Sequence, residues 1–475
     1  MNIDNFDAAD FFALSSEGAI KTYCVTKETL ENFIDTQNEF VKNQIIAHDF
    51  KGKEGKYLIF YHDADSTDFS ILAGYKQDDL TSLLYLGASL PDNISKISLE
   101  NLPEDFDVSF FAELWAADHY RFTLYKKNEK RILKLLLPDS AHQTALYAAC
   151  RARQFGRNAV NLPAEICTPA FLQKAIEDIA EKCGAECKAT IGSDLQDQGY
   201  RLIHAVGRAV QEEDRLPRLV HLKYNADKKD YPHLALVGKG VTFDTGGLNI
   251  KTGSSMSLMK KDMGGAASVM SLAYQIMLLR LPLRLDLYVP TVENNVSGNA
   301  MRPSDVFTAY NGKTVEITNT DAEGRLILAD ALSLASETDP DLLIDIATLT
   351  GAARVAVGPD LSGMFTDDDM LAENIFSKSN TYRDPVWRLP LYAPYLDYMK
   401  GTISDLVNSG SSGFAGASTA ALFLKEFVKD KQKWVHFDSY CWNKAKKSGK
   451  PKGGDVAPIR ALFHYIKDEF IKNRA

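Results

Sequence analysis

The sequence predicts an α/β fold, with a smaller N-terminal α/β domain and a larger C-terminal α/β domain built on a central mixed, largely parallel sheet. Three observations predict it. From residue 160 onward, apolar runs of strand length alternate with stretches of helical period. Glycine-rich segments follow the candidate strands, where crossover connections place ligand-binding loops. The chain has 475 residues, 45% apolar and 25% charged, ordinary for a globular protein and enough for two or three domains.

In residues 1–138 the short apolar runs Tyr57 to Tyr61, Ser70 to Ala73, Tyr120 to Tyr125 and Ile132 to Leu136 alternate with polar turns, as strands mixed with helices do. His48, His62 and His119 are scattered there and form no catalytic constellation. Pro138-Asp139-Ser140 opens a helical pattern that Asp139 or Ser140 can cap. Ala145, Leu146, Ala149 and Cys150 give it a 3.6-residue stripe, and it ends near Asn158, before Pro163. This predicts an N-terminal α/β domain over 1–138, a connecting helix over 139–160 and a third segment over 161–475.

The third segment reads as a helix from Thr168-Pro169 through Ala180, strands at Leu219 to Tyr224 and Leu234 to Val237, a helix over 265–279 and a strand at Leu285 to Val289. Val306 to Tyr310 and Thr314 to Thr318 flank Asn311-Gly312, a two-residue hairpin signal. A helix over 325–336 and a strand at Leu342 to Ala347 follow, and the segment from Gly410 to Gly416 reads as a flexible loop.

Composition excludes several classes. The net charge of -9 opposes nucleic acid as the main partner, because phosphate binding needs a basic surface. Six cysteines are sparse for this length, so reduced thiols are expected, and Cys183 with Cys187 lacks a second pair at zinc-finger spacing. The acidic N-terminus resembles neither a signal nor a transit peptide. No run reaches the ~20 apolar residues of a membrane span. A cytoplasmic location is the expectation.

The motifs narrow the chemistry. HExxH and GxSxG are absent. Gly312-Lys313-Thr314 imitates the end of a phosphate-binding loop, but Phe307 stands where its first glycine is required. Two segments are unusual. The run from Val237 to Gly247 follows a strand and sets Lys239 and Asp244 among glycines. The run from Asn319 to Leu326 packs Asp321, Glu323 and Arg325 into a strand-to-helix junction. Between them lie Lys251 and Lys260-Lys261-Asp262. Taken singly, each acid reads as a helix cap and Lys239 as a surface charge. Taken together, the loops should meet at one edge of the sheet, where four carboxylates repel unless cations neutralise them. Asp244, Asp262, Asp321 and Glu323 match the charge of two divalent ions, which carboxylates bridge at ~3.5–4 Å. Lys239, whose amine ordinarily titrates near ~10.4, could join them as a neutral ligand. A ligand set without His or Cys admits manganese, magnesium, cobalt or zinc.

NTDAEGRL (Asn319 to Leu326) resembles the hallmark of the leucine aminopeptidase family, also called cytosol aminopeptidases. VGKGVTFDTGG (Val237 to Gly247), the spacing through Lys251 and Asp262 to Asp321, and ATLTGA (Ala347 to Ala352) are similar to further family segments. The resemblance covers roughly residues 150 to 475, making 161–475 a catalytic metallopeptidase domain. It implies a dinuclear metal-dependent aminopeptidase that removes the N-terminal residue from peptides with a free α-amine. Lys239, Asp244, Asp262, Asp321 and Glu323 would bind two divalent ions, Mn2+ or Zn2+. Asp244 and Glu323 would bridge them, Asp262 and Lys239 would belong to one ion, and Asp321 to the other. Lys251 and Arg325 would be the catalytic side chains, with bicarbonate held by Arg325. Met259, Asn319, Thr348, Leu349 and Gly351 would lie near the substrate. Family members are homohexamers with active sites facing an enclosed cavity, and the same is expected here.

One region departs from the family. Where members read HLDIAG-like, with small residues lining the first-residue pocket, this chain reads His436-Phe-Asp-Ser-Tyr-Cys-Trp-Asn443, with Tyr440 in place of a small residue. Tyr440 either points away or reshapes the pocket. Two other functions share some of these features. A two-metal phosphoesterase would use similar carboxylates, but gives no reason for a lysine among them. A non-catalytic DNA-binding scaffold fits poorly with the acidic balance.

Overall fold

The computed structural model describes residues 2–126, 131–139 and 141–472. The chain forms two compact units, a smaller one of Asp4–Gln154 with Lys444–Lys452 and a larger one built mainly from Phe155–Asn443 and the segment from Gly453 onward.

The smaller unit carries a six-stranded sheet in the order Phe12–Ala13, Lys134–Leu136, Lys96–Glu100, Ile20–Val25, Phe69–Gly74, Tyr57–Tyr61. Neighbours run parallel except the last pair. Helices Leu30–Asp35 and Glu39–Ala47 bury Leu30, Phe33, Val41 and Ile45 against Leu58, Phe60 and Leu72. The run Tyr120 to Tyr125 is not a strand. Tyr120 closes the helix Val108–His119, and the chain then bends at 124–126 with Leu124 and Tyr125 exposed, so these apolar residues have no sheet face to cover.

The expected connecting helix spans Gln143–Asn161. It starts later than the Asp139–Ser140 cap predicts, because the amide of Ala141 bonds the Pro138 carbonyl at 3.0 Å and closes a separate turn first. Ser140 lies outside the described residues. The helix belongs to the smaller unit through Gln154 and to the larger from Phe155.

The larger unit is organised by a nine-stranded mixed sheet. Its order is Val386–Arg388, Ser362–Phe365, Trp434–Asp438, Leu342–Ala347, His233–Gly238, Arg284–Asn294, Arg218–Tyr224, Glu186–Ile191, with Gly240–Asp244 alongside the far half of Arg284–Asn294. The four central strands, from Trp434–Asp438 to Arg284–Asn294, are mutually parallel and the flanks are partly antiparallel. Strands at 434–438 and 362–365 and helices Asp369–Thr381, Gly416–Lys425 and Ile459–Tyr465 extend the alternation beyond the elements predicted from sequence. The hairpin at Asn311-Gly312 forms between Val306–Thr308 and Thr314–Glu316. Its connection is longer than two residues, since Ala309 still bonds Lys313 and only Gly312 takes a left-handed φ of 88°.

Two helices sandwich the central strands. Gly324–Glu337 shares a core with Ala235, Val237 and Leu343. Gly264–Leu278 packs against Gly238, whose outward direction alternates with that of Val237, and so takes the opposite face. Its first residues are small because the fit is close: a β-carbon on Gly265 would lie 2.2 Å from the Ile346 carbonyl oxygen, and one on Gly238 2.3 Å from Val269. Among the described residues no helix is long and apolar enough to cross a membrane.

Candidate metal centre

Parallel strands end on the same side, so the loops after them share one edge. Lys239 follows the buried strand His233–Gly238, and Asp244 ends Gly240–Asp244. Thr348 follows Leu342–Ala347, Asp262 follows the short turn Met259–Lys261, and Glu323 precedes the helix Gly324–Glu337. One carboxylate oxygen each from Asp244, Asp262 and Glu323 lies within 4.8 Å of the others, and all three residues are buried.

Lys239 joins this group. Its Nζ is 2.8 Å from Asp262 Oδ2 and 3.0 Å from Glu323 Oε1, and it donates to the Thr348 carbonyl at 3.1 Å. Gly324 must be glycine to let it pass, since a β-carbon there would stand 2.4 Å from Lys239 Cε. Asp244 is held through Oδ1, which accepts from the Gly246 amide and from Asn294 Nδ2, both at 2.8 Å. Gly246 reaches that position with φ of 89°. The other oxygen, Oδ2, faces Lys251 Nζ at 2.8 Å, and Lys251 also meets Asp321 Oδ1 at 2.5 Å. Asp321 sits at the more open side, its side chain 32% exposed against 2–4% for Glu323, Asp244 and Asp262.

None of these acids is spent on capping. The helix Gly264–Leu278 has Met263, not Asp262, at its cap, and Glu323 occupies the cap of Gly324–Glu337 without bonding any of its amides. Glu323 Oε2 is buried with no hydrogen-bond partner. Electrostatics say what is missing. Burial pushes the Glu323 and Asp244 carboxyls up, and each is pushed further by a neighbouring carboxylate, Asp244 for the first and Asp262 for the second. Burial alone would lower Lys239 and Lys251, but the surrounding carboxylates win and raise both. Four carboxylates face two ammonium groups, so negative charge is left over in a dry site. An oxygen-rich donor set, an unpartnered oxygen and surplus negative charge fit hard or borderline divalent cations.

The other predicted residues occupy the surroundings. Thr348 Oγ1 donates to Asp262 Oδ1 at 2.8 Å and so aims that carboxylate. The Leu349 amide donates to Asp438 Oδ1 at 2.9 Å. Asn319 accepts from the Asp321 amide at 2.9 Å. Met259 opens the turn before Asp262, and exposed Gly351 starts the helix Gly351–Val357. Arg325 is turned toward the loop at 408: its Nη1 donates to the Asn408 carbonyl at 2.8 Å, while Nε is buried without a partner. Burial lowers the guanidinium to about 10.

Sequence reasoning missed the residues that hold the loops. Asn408 is fully buried; its Oδ1 accepts from the amides of Thr318 and Asn319 and its Nδ2 donates to the carbonyls of Asn319 and Ala322. Asn294 fixes Asp244, Thr320 Oγ1 donates to the Gly246 carbonyl at 2.6 Å, and Asp438 takes both amides of Leu349 and Thr350. Asn294 and Asp438 end strands of the parallel core, which is the one signal that could have found them.

Known proteins resemble this chain. The catalytic domain of the cytosol aminopeptidase family matches residues 154–463. A probable cytosol aminopeptidase of Aquifex aeolicus is 37% identical over 438 residues, 88% of each chain. The crystal structure of a cytosol aminopeptidase from Coxiella burnetii superposes with a TM-score of 0.89 at 38% identity, over 97% of this chain and 100% of the other. The bottromycin maturation enzyme BotP in complex with Mn gives 0.82 at 28% identity, over 95% and 99%.

Proposed function

Since the chain belongs to the cytosol aminopeptidase family and is a metallo-aminopeptidase, we propose that it uses a dinuclear centre to hydrolyse the first residue from peptides with a free α-amine. Asp244 and Glu323 would be shared between two ions, Asp262 and Lys239 would serve one, and Asp321 the other. Manganese or zinc suits this oxygen-dominated set. When bound, such ions acidify water for attack and polarise the scissile carbonyl. The observation that carries the reading is the meeting of three buried carboxylates within 4.8 Å around the ammonium of Lys239.

The chain's own groups do the rest. Lys239 would serve as a ligand through its neutral amine, its Nζ proton passing to solvent as an ion takes its place. Lys251, anchored between Asp244 and Asp321, presents a fixed cation to the negative charge that develops on the carbonyl oxygen. Arg325 would hold a small anion such as bicarbonate, for which its unpartnered Nε is the available donor; such an anion would supply proton transfer between water and the departing amine. Thr348 keeps Asp262 aimed, and Met259, Asn319, Leu349 and Gly351 border the substrate. Catalysis resides in the 161–475 domain, which the 139–160 helix connects to the 1–138 domain. The enzyme works in the cytoplasm as a homohexamer.

The test is a metal-stripped sample refilled with manganese or zinc and offered aminoacyl chromogenic amides and N-acetylated counterparts. Free-amine substrates are turned over only after refilling and the acetylated ones are not. Turnover of acetylated peptides, or full activity without metal, would refute the proposal.

A further inference from the structure

Next to the carboxylate cluster lies a group of cations that it does not employ. Lys261 directly precedes Asp262, and only 6% of it is exposed. Its Nζ stands over the ring of Tyr440, 4.8 Å from the centroid, and the guanidinium of Arg354, an exposed residue, lies 5.1 Å from the same centroid. Among the described residues neither side chain makes an ion pair or a hydrogen bond. Two other buried bases of the larger unit are matched by carboxylates, Lys239 by Asp262 and Arg157 by Asp455 at 3.1 Å. An unmatched buried ammonium is costly. The Tyr440 ring gives each cation a weak contact but no negative charge.

The cluster borders the site. Cys441, next to Tyr440, fits against Gly264 so closely that a β-carbon on that glycine would meet Cys441 Cβ at 2.5 Å and Thr348 Cγ2 at 3.1 Å. Thr348 in turn bonds Asp262. Arg354 belongs to the helix Gly351–Val357, which follows directly on Thr348 and Leu349.

We propose that Lys261, Arg354 and Tyr440 form the subsite for the side chain of the substrate's first residue, and that it selects a carboxylate, making peptides beginning with Glu or Asp the preferred class. The assignment rests on the aminopeptidase reading above. A carboxylate placed between the two cations would accept hydrogen bonds from both and neutralise the surplus charge. Tyr440 narrows the space that a branched apolar side chain would otherwise fill.

The experiment compares kcat/KM for Glu-, Asp-, Leu- and Lys-anilides on the metal-loaded enzyme and on K261M, R354Q, R354K and Y440A. The anilides carry no C-terminal carboxylate, so only the first side chain is probed. Acidic substrates exceed Lys-anilide, and the Glu-to-Leu ratio falls about tenfold or more in K261M and R354Q, as expected for loss of a charged hydrogen bond, while R354K retains most of it. Thermal stabilisation by free L-glutamate over L-leucine, lost in K261M, gives a second readout. Equal loss on all substrates, or a wild-type preference for Leu over Glu, overturns the subsite. So does discrimination confined to free dipeptides and absent with their amides, which would move the carboxylate to the peptide's far end. Failure to cleave any anilide would instead defeat the aminopeptidase reading itself.

Discussion

Lys239 Nζ and Asp262 Oδ2 lie 2.8 Å apart, with 3% and 4% of their side chains exposed. Removing Asp262 leaves Lys239 paired with Glu323 at 3.0 Å and relieves repulsion among the remaining carboxylates. Asp262→Ala is therefore expected to leave the stripped protein folded with little loss of melting temperature. It lowers metal affinity by at least about 100-fold, beyond what loss of an indirect partner does. Metal analysis after dialysis, alongside calorimetry, reads both effects. Wild-type metal content in Asp262→Ala would remove this residue from the ligand set.

Lys251 and Arg325 should separate from the ligands in such assays. Replacing either by Ala is expected to reduce kcat by about 100-fold to 1,000-fold, the range for a lost transition-state donor, while metal content is unchanged. Loss of metal in Lys251→Ala would make it a structural counter-ion. Partial rescue of Arg325→Ala by excess bicarbonate, and not by chloride, is expected if the arginine holds the anion; a loss that bicarbonate leaves untouched would contradict that role.

The raised carboxyls of Asp244 and Glu323 give the stripped protein a pH signature. Their folded-state values stand above those of the unfolded chain, so the native state keeps protons the unfolded chain has released. The resulting stability is complete below the ordinary carboxylate range and is lost as pH rises through the raised values. Melting temperature of stripped protein should fall from mildly acidic to mildly alkaline pH, less so in Glu323→Gln. Ions bind the deprotonated oxygens, so metal affinity should climb over the same window. Affinity that is flat with pH would contradict the shifts.

Asn408 offers a test of positioning. Its amide both accepts and donates, so Asn408→Asp sets a carboxylate against the carbonyls of Asn319 and Ala322 and should be as harmful as Asn408→Ala. Each is expected to cost about 1–3 kcal/mol in stability and about 10-fold to 100-fold in metal affinity. A kcat loss with full metal affinity would show that Asn408 serves Arg325 rather than the ligands.

Much of this architecture is legible in sequence because the central strands are buried on both faces. Leu342–Ala347 reads as a strand because all its residues are buried, and Gly324–Glu337 reads as a helix from its 3.6-residue stripe. Lys239, Asp244, Asp262, Asp321 and Glu323 are legible as candidates for another reason: charged residues among glycines, in loops after strands, have few other uses. What escapes is whatever depends on distant partners. Asn408 lies 89 residues from Asn319, which it bonds, and nothing in its own neighbourhood marks it. The Lys261–Tyr440–Arg354 group escapes likewise, its members coming from three separate segments. The Tyr120 to Tyr125 run misleads in the opposite direction, since local apolar content says nothing about whether a sheet edge is at hand.

Glu323 stands in the position where Ser or Asp ordinarily anchors the opening turn, and it leaves that turn unanchored. Its backbone is already helical there, with φ of -74° and ψ of -35°, so a Ser or Asp in its place would not be posed to reach the amides that a cap serves. Exchanging it gains no anchoring and removes a buried oxygen from the carboxylate cluster, so thermostabilising design on this scaffold should leave that position alone.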